Sequence, residues 1–113
     1  MSWFLYLIEC EDHSVYTGIT TDVDARFAAH ANGTGARYTR SRKPLRVLVS
    51  FAFTNRATAS SAEYWVKRLS AAQKRALAAG ERTLESVLPG VADVTVEVVG
   101  SDNGASGAGP SVE

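Results

Sequence analysis

The chain has 113 residues, twelve basic and twelve acidic, with a formal net charge of zero and one cysteine. That length suits one domain with one core. The lone Cys10 excludes an internal disulfide, and MSWFLYLIEC lacks the basic start and long apolar run of a signal peptide or membrane span, so a soluble cytoplasmic protein is expected. The neutral total conceals a basic middle: residues 26–80 hold eleven Lys or Arg and a single acid, Glu63, between acidic flanks, the footprint of a phosphate-rich partner or of a solvated helix face.

The first element is SWFLYLIE, which alternates so that Trp3, Leu5 and Leu7 face one way and Phe4, Tyr6 and Ile8 the other. It reads as a strand, apolar on both faces. CEDHS is a polar turn and SVYTGIT a second β-rich run, so residues 3–9 and 14–19 make a hairpin with Tyr6 and Tyr16 on one face. Thr21 with Asp24 resembles a capping box, and Asn32-Gly33 a left-handed stop, which predicts a helix over about residues 22–32. Val23, Phe27 and Ala31 form its expected buried stripe, with Arg26 and His30 on the neighbouring one.

GTGARYTRSRKP follows as a basic, glycine-containing loop, and LRVLVSFAF as a third strand apolar enough for the middle of a sheet. A helix over about 57–69 buries Ala62, Trp65, Val66 and Leu69, leaving Glu63 on the edge of that stripe and Lys67 one turn further on. Ser70 with Gln73 opens another helix that runs to Gly80. The fold expected is α+β, a three-stranded antiparallel sheet flanked by helices within residues 1–80. Residues 81–100 form an extension with a marginal extra strand at VTVEVV, and the Gly/Ser-rich residues 101–113 a flexible, disordered tail.

The order of strand, strand with YTG, helix with an arginine, third strand and helix with a glutamate resembles the GIY-YIG nuclease domain, in particular its small stand-alone bacterial members. The resemblance covers roughly residues 3–78. It matches the family's two tyrosines to Tyr6 and Tyr16, its motif glycine to Gly18, its helix arginine to Arg26, the histidine after it to His30 and its metal-binding glutamate to Glu63. Phe4, Thr17 and His13 stand where the motifs have a glycine, an isoleucine and a turn glycine, and none of these removes a catalytic group.

What the resemblance implies is a metal-dependent endonuclease acting on DNA, with RNA as a further candidate, in repair or processing of structured DNA. Glu63 would hold Mg²⁺ or Mn²⁺, completed by water and phosphate oxygens as hard cations on one carboxylate require. Arg26 would donate to the phosphoryl oxygens as they gain charge. Tyr6 or Tyr16 would take the proton of the attacking water, aided by nearby cations that favour phenolate. His30 would accept a hydrogen bond from a tyrosine or orient that water; the sequence does not choose. Arg37, Tyr38, Arg40, Arg42, Lys43 and Lys67 are candidates for nucleic-acid contact, Tyr38 as a ring on which a base can stack.

Each residue also has a plain structural reading. The tyrosines would be ordinary strand aromatics, His30 a solvated helix residue, and Arg26 and Glu63 would pair with Asp22 and Lys67 one turn away. At the level of the whole protein, the alternatives are a nucleic-acid-binding module that does not cut and a domain that binds an acidic protein. Monomer is the favoured state, with no membrane partner.

Overall fold

The first strand's two apolar faces require partners on both sides of the sheet plane. In the computed structural model, whose described residues are 2–34, 42–88 and 97–100, β1 (Trp3–Cys10) lies between β2 (Val15–Thr20) and β3 (Pro44–Phe53), antiparallel to both. A short β4 (Glu97–Gly100) adds to the other side of β3, giving the order β2-β1-β3-β4. The expected three-stranded sheet is thus present and is extended by one strand from the C-terminal segment. Arg37, Tyr38, Arg40 and the tail over 101–113 lie outside the described residues.

Side-chain alternation divides the core between two faces. Leu5 and Leu7, with Val15, Val49, Phe51 and Phe53, pack against Ala59, Ala62 and Val66 of α2 (Arg56–Val66) and Leu77 of α3 (Ala71–Ala78), and a single 3₁₀ turn adds Leu84. Tyr6, Ile8 and Cys10 face the other way, with Tyr16, Val47 and the α1 residues Val23 and Phe27 against them (α1, Val23–Ala31). Each large apolar side chain buried this way contributes about 1.5–3 kcal/mol relative to exposure. The sheet is therefore the middle layer of three.

The helix starts follow capping chemistry, with one shift from the sequence reading. Asp22, not Thr21, caps α1: its backbone is extended and its carboxylate accepts the Ala25 N–H at 3.0 Å, while its own N–H donates to Thr20 Oγ1. Asn55 does the same for α2, and Ser70 with Gln73 forms a complete capping box for α3. Asn32 ends α1 and Gly33 follows at φ +85°, as the left-handed stop requires. The buried stripe of α1 also differs from expectation, since Ala31 is exposed and His30 is buried. The stripe steps from Val23 to Phe27 to His30, because seven residues close almost two full turns whereas eight overshoot.

β3 does not alternate cleanly. Its register against β1 shifts between Leu7 and Ile8, at Leu48, and again between Glu9 and Cys10, at Leu45. Leu45 sits at the second irregularity and is 51% exposed.

Charged contacts fasten the hairpin between β1 and β2 to the rest of the molecule. The Glu9 carboxylate accepts from Arg46 Nε of β3 at 2.8 Å and from an Arg75 terminal nitrogen of α3 at 2.7 Å. The other Arg75 nitrogen donates to the carbonyl of His13, the turn residue at φ +70°. Both arginines hold the Glu9 carboxyl below its ordinary value of 4.5. A carboxylate with a lowered folded pKa stabilises fully above its unfolded value and loses that contribution as pH falls through the folded one. Glu9→Gln is expected to lower the unfolding free energy at neutral pH by about 1–2 kcal/mol. In urea titrations across the acid range, the gap between variant and wild type should close as pH drops below the carboxylate range. A gap that is absent at neutral pH would mean the network stabilises nothing.

Candidate active site

The register of β1 and β2 sets the site. Tyr6 pairs with Gly18 and Ile8 with Tyr16, so the two tyrosines are diagonal neighbours on the α1 side, with ring centroids 6.2 Å apart. A Cβ at position 18 would stand 2.5 Å from the Tyr6 hydroxyl oxygen, 2.7 Å from its Cζ and 3.1 Å from Cε2 of Tyr16. The phenol of Tyr6 thus lies across the place where any other residue would carry a side chain. Glycine is required here for space.

The stripe on α1 delivers the next two groups. His30 is 1% exposed, and its Nε2 lies 3.0 Å from the Tyr6 hydroxyl oxygen. The same imidazole meets the Tyr16 ring edge-on, at 5.1 Å between centroids. It is therefore no solvated helix residue: it occupies the core position opposite the tyrosines. Arg26, one turn earlier, brings its guanidinium near enough to the Tyr6 phenol to act on its ionisation, and Glu63 of α2 acts on the same phenol from another element. Tyr6, Tyr16 and His30 thus form one contact cluster, and Arg26 and Glu63 are near enough to bias the ionisation of its central phenol.

Their electrostatics correct one expectation. The Tyr6 hydroxyl is pushed up to about 12, first by burial and then by the neighbouring Tyr16, with the Glu63 charge adding to both; Arg26 opposes these and does not overcome them. The basic surroundings do not make Tyr6 a phenolate, because desolvation of the charged form outweighs one guanidinium. His30 is held below its ordinary value of 6.5, chiefly by burial and secondarily by Arg26, so its imidazole is neutral at pH 7. A neutral phenol and a neutral imidazole share one hydrogen bond, and a proton can pass along it.

The plain pairings are half realised. Glu63 and Lys67 form the i,i+4 ion pair at 3.4 Å, whereas the Asp22 carboxylate caps α1 instead of pairing with Arg26. Arg42 Nε donates to Asp12 at 2.9 Å, so part of its charge is already answered, and Lys43 is exposed. Sequence reasoning passed over Lys74 and Arg75. The available signal was a lysine one turn before Leu77, on what proves to be the buried side of α3.

Among the described residues there is no group of three or more His, Cys, Asp and Glu able to enclose a metal ion. Glu63 is partly buried, with 21% of its side chain exposed, and acts on the central phenol. A single carboxylate near the phenol suits a hydrated hard cation and does not suit a zinc or calcium cage. Among those residues no helix is long and apolar enough to cross a membrane.

Comparison with known proteins agrees with the resemblance seen in the sequence. The GIY-YIG catalytic domain family matches residues 2–76. A UPF0213 protein of Cupriavidus necator is 58% identical, over 69% of this chain and 85% of its own length. One from Xanthomonas axonopodis is 48% identical over 82% of this chain and 92% of its own. The solution NMR structure of a UPF0213 protein from Bacillus halodurans is 48% identical over 68% of this chain and 82% of that one, with a TM-score of 0.43.

Gly18→Ala tests the packing at the centre of the site. The added methyl must displace the Tyr6 ring, so the variant should lose about 1–3 kcal/mol of stability, as overpacked cores do. Its His30 ring-nitrogen NMR signals should also shift as the hydrogen bond to Tyr6 lengthens. A variant with wild-type stability and unchanged His30 signals would show that the close approach is not required.

Proposed function

Because the chain belongs to the GIY-YIG catalytic domain family, we propose that it is a metal-dependent endonuclease that hydrolyses phosphodiester bonds in DNA. The observation that carries this reading is the cluster of Tyr6, Tyr16 and His30, hydrogen-bonded through the buried Tyr6 hydroxyl, with Arg26 and Glu63 near enough to act on that hydroxyl. The reading includes a monomeric cytoplasmic protein working on structured DNA in repair or processing, with RNA as the substrate to exclude.

Hydrolysis needs a base for the water, a counter-charge for the phosphoryl oxygens and help for the leaving oxygen. Arg26 supplies fixed positive charge to the phosphoryl group through its planar fork. Glu63 would hold Mg²⁺ or Mn²⁺ in exchange for Lys67, which is then free to meet a phosphate. The ion, when bound, polarises the phosphate and steadies the leaving oxygen. The pair Tyr6–His30 supplies the base: the phenol oxygen takes a proton from water while its own proton moves to Nε2. Tyr6 is neutral before and after this step, and the proton ends on the imidazole. This route suits a phenol held at about 12 beside a neutral histidine, and it uses the tautomer with Nε2 unprotonated. Tyr16 holds the imidazole edge-on, and Lys43 and Arg42 lie on the segment leading into β3, where the nucleic-acid backbone is expected to pass.

A second reading is a nucleic-acid-binding module of the same fold that does not cut. The ion pair of Glu63 with Lys67 and the high pKa of Tyr6 favour it.

The deciding experiment is a cleavage panel of single-stranded, duplex, nicked and branched DNA plus RNA, with Mg²⁺ or Mn²⁺. Glu63→Gln should reduce cleavage by orders of magnitude while metal-free binding persists or tightens, and Arg26→Ala should depress turnover by about 10²-fold or more with little loss of stability. Since His30 must be neutral to accept the proton, wild-type turnover should hold from neutral pH downward until pH falls through the lowered His30 value, then decline. Equal cutting by wild type and Glu63→Gln would move the activity elsewhere. Salt-dependent binding without any cutting would leave the binding module as the account.

A further inference from the structure

Helix α3 carries a lysine on its buried side. Lys74 is 9% exposed, and its Nζ donates to the backbone carbonyl of Val15 at 3.0 Å. Among the described residues no carboxylate stands within ion-pair distance of it. Its ammonium is held below the ordinary lysine value first by burial and then by the like charge of Lys67. Burying an ammonium against one carbonyl is costly, and an apolar residue of similar length would fill the same space at less expense. Packing alone does not account for a lysine here.

The carbonyl it grips belongs to the site's weakest strand. β2 is the edge of the sheet and has a glycine, Gly18, within it. The Cys10 N–H donates to the carbonyl of Ser14. Hydrogen-bonding direction alternates along an antiparallel strand, so the carbonyl of Val15 turns away from β1 to the free edge. Lys74 meets it there. The next residue, Arg75, reaches Glu9 and the His13 carbonyl, so two consecutive residues of α3 hold the hairpin on either side of its turn. The Lys74 contact is the one directly before Tyr16.

We infer that Lys74 is a positioning residue: its ammonium fixes the free edge of β2 at Val15 and so holds the Tyr16 to Gly18 segment against Tyr6 and His30. The kinetic arm of the test rests on the nuclease reading; the spectroscopic arm does not. Lys74→Met removes every donor while keeping the chain length, and Lys74→Gln keeps a neutral donor. In protein labelled with ¹³C-tyrosine, both variants should fold, and the Tyr16 and Tyr6 ring signals should shift or broaden, more in Lys74→Met than in Lys74→Gln. The signals of Tyr64, exposed on α2, should not move. Turnover with Mg²⁺ on the best substrate of the panel should fall about ten- to hundredfold in kcat at unchanged KM, the cost of a misplaced reacting group. Loss of folding in both variants would overturn the inference by making Lys74 a stability residue, and so would wild-type Tyr16 signals in folded variants. A wild-type protein that cuts nothing overturns the nuclease reading and leaves the tyrosine signals to decide this one.

Discussion

The arrangement turns on the place where Tyr6 lies over Gly18. A phenol can cross the neighbouring strand only where that strand has no side chain, and the hairpin register puts the glycine directly opposite. Once the ring is there, its hydroxyl lies over Gly18 and within reach of α1. The helix must then offer it a hydrogen-bonding group at core depth, because a buried hydroxyl without a partner is costly. His30 is that group. A one-residue slip between the strands would turn Tyr16 and Gly18 to the opposite face and leave both the hydroxyl and the imidazole unpaired. Register, packing and proton chemistry are therefore one constraint.

Much of this was legible in the residues. Period-two alternation marked β1 as a strand apolar on both faces, the apolar run of β3 marked it for the middle of the sheet, and the hairpin spacing placed the tyrosines together. Capping pairs located α1 and α3, and an apolar stripe located α2, each to within a few residues. The family order of YTG, arginine, histidine and glutamate named the groups that meet at the phenol. What the sequence could not carry was depth. Helix spacing puts Arg26 and His30 together beside the apolar stripe of Val23 and Phe27 but does not say how that stripe ends, and polarity argued for Ala31 where His30 is buried. A histidine counts as polar in a pattern, yet it is an apolar ring with two nitrogens and packs well when one of them is answered. Depth also reversed the sign expected for Tyr6, since charge counted along the chain takes no account of desolvation.

Lys74 and Glu9 were illegible for a related reason. Each acts on a residue far away in sequence, Lys74 on Val15 and Glu9 on Arg46 and Arg75. Nothing local distinguishes them from surface charges. In three dimensions they belong to one device, by which α3 grips the edge strand and its turn. Three of the eleven cations in the basic middle thus have structural partners facing the hairpin, which narrows the charge left for a phosphate-rich ligand. Arg42, bound to Asp12, adds to that number.

Tyr6, Tyr16, Arg26 and His30 come from one continuous stretch of hairpin and helix, whereas Glu63 arrives on α2 after the third strand has crossed. The first four are joined by short loop closures, which are entropically cheap and early; the fifth requires the long-range pairing of β1 with β3. A chain that has formed only its first thirty or so residues (about a quarter of its length) holds the proton-handling groups without the carboxylate. On the nuclease reading, a nascent or partly opened molecule is inert, and the capacity to cut appears only when the sheet is complete. On that same reading, the division of the site between near and distant sequence keeps an incompletely folded chain from cutting.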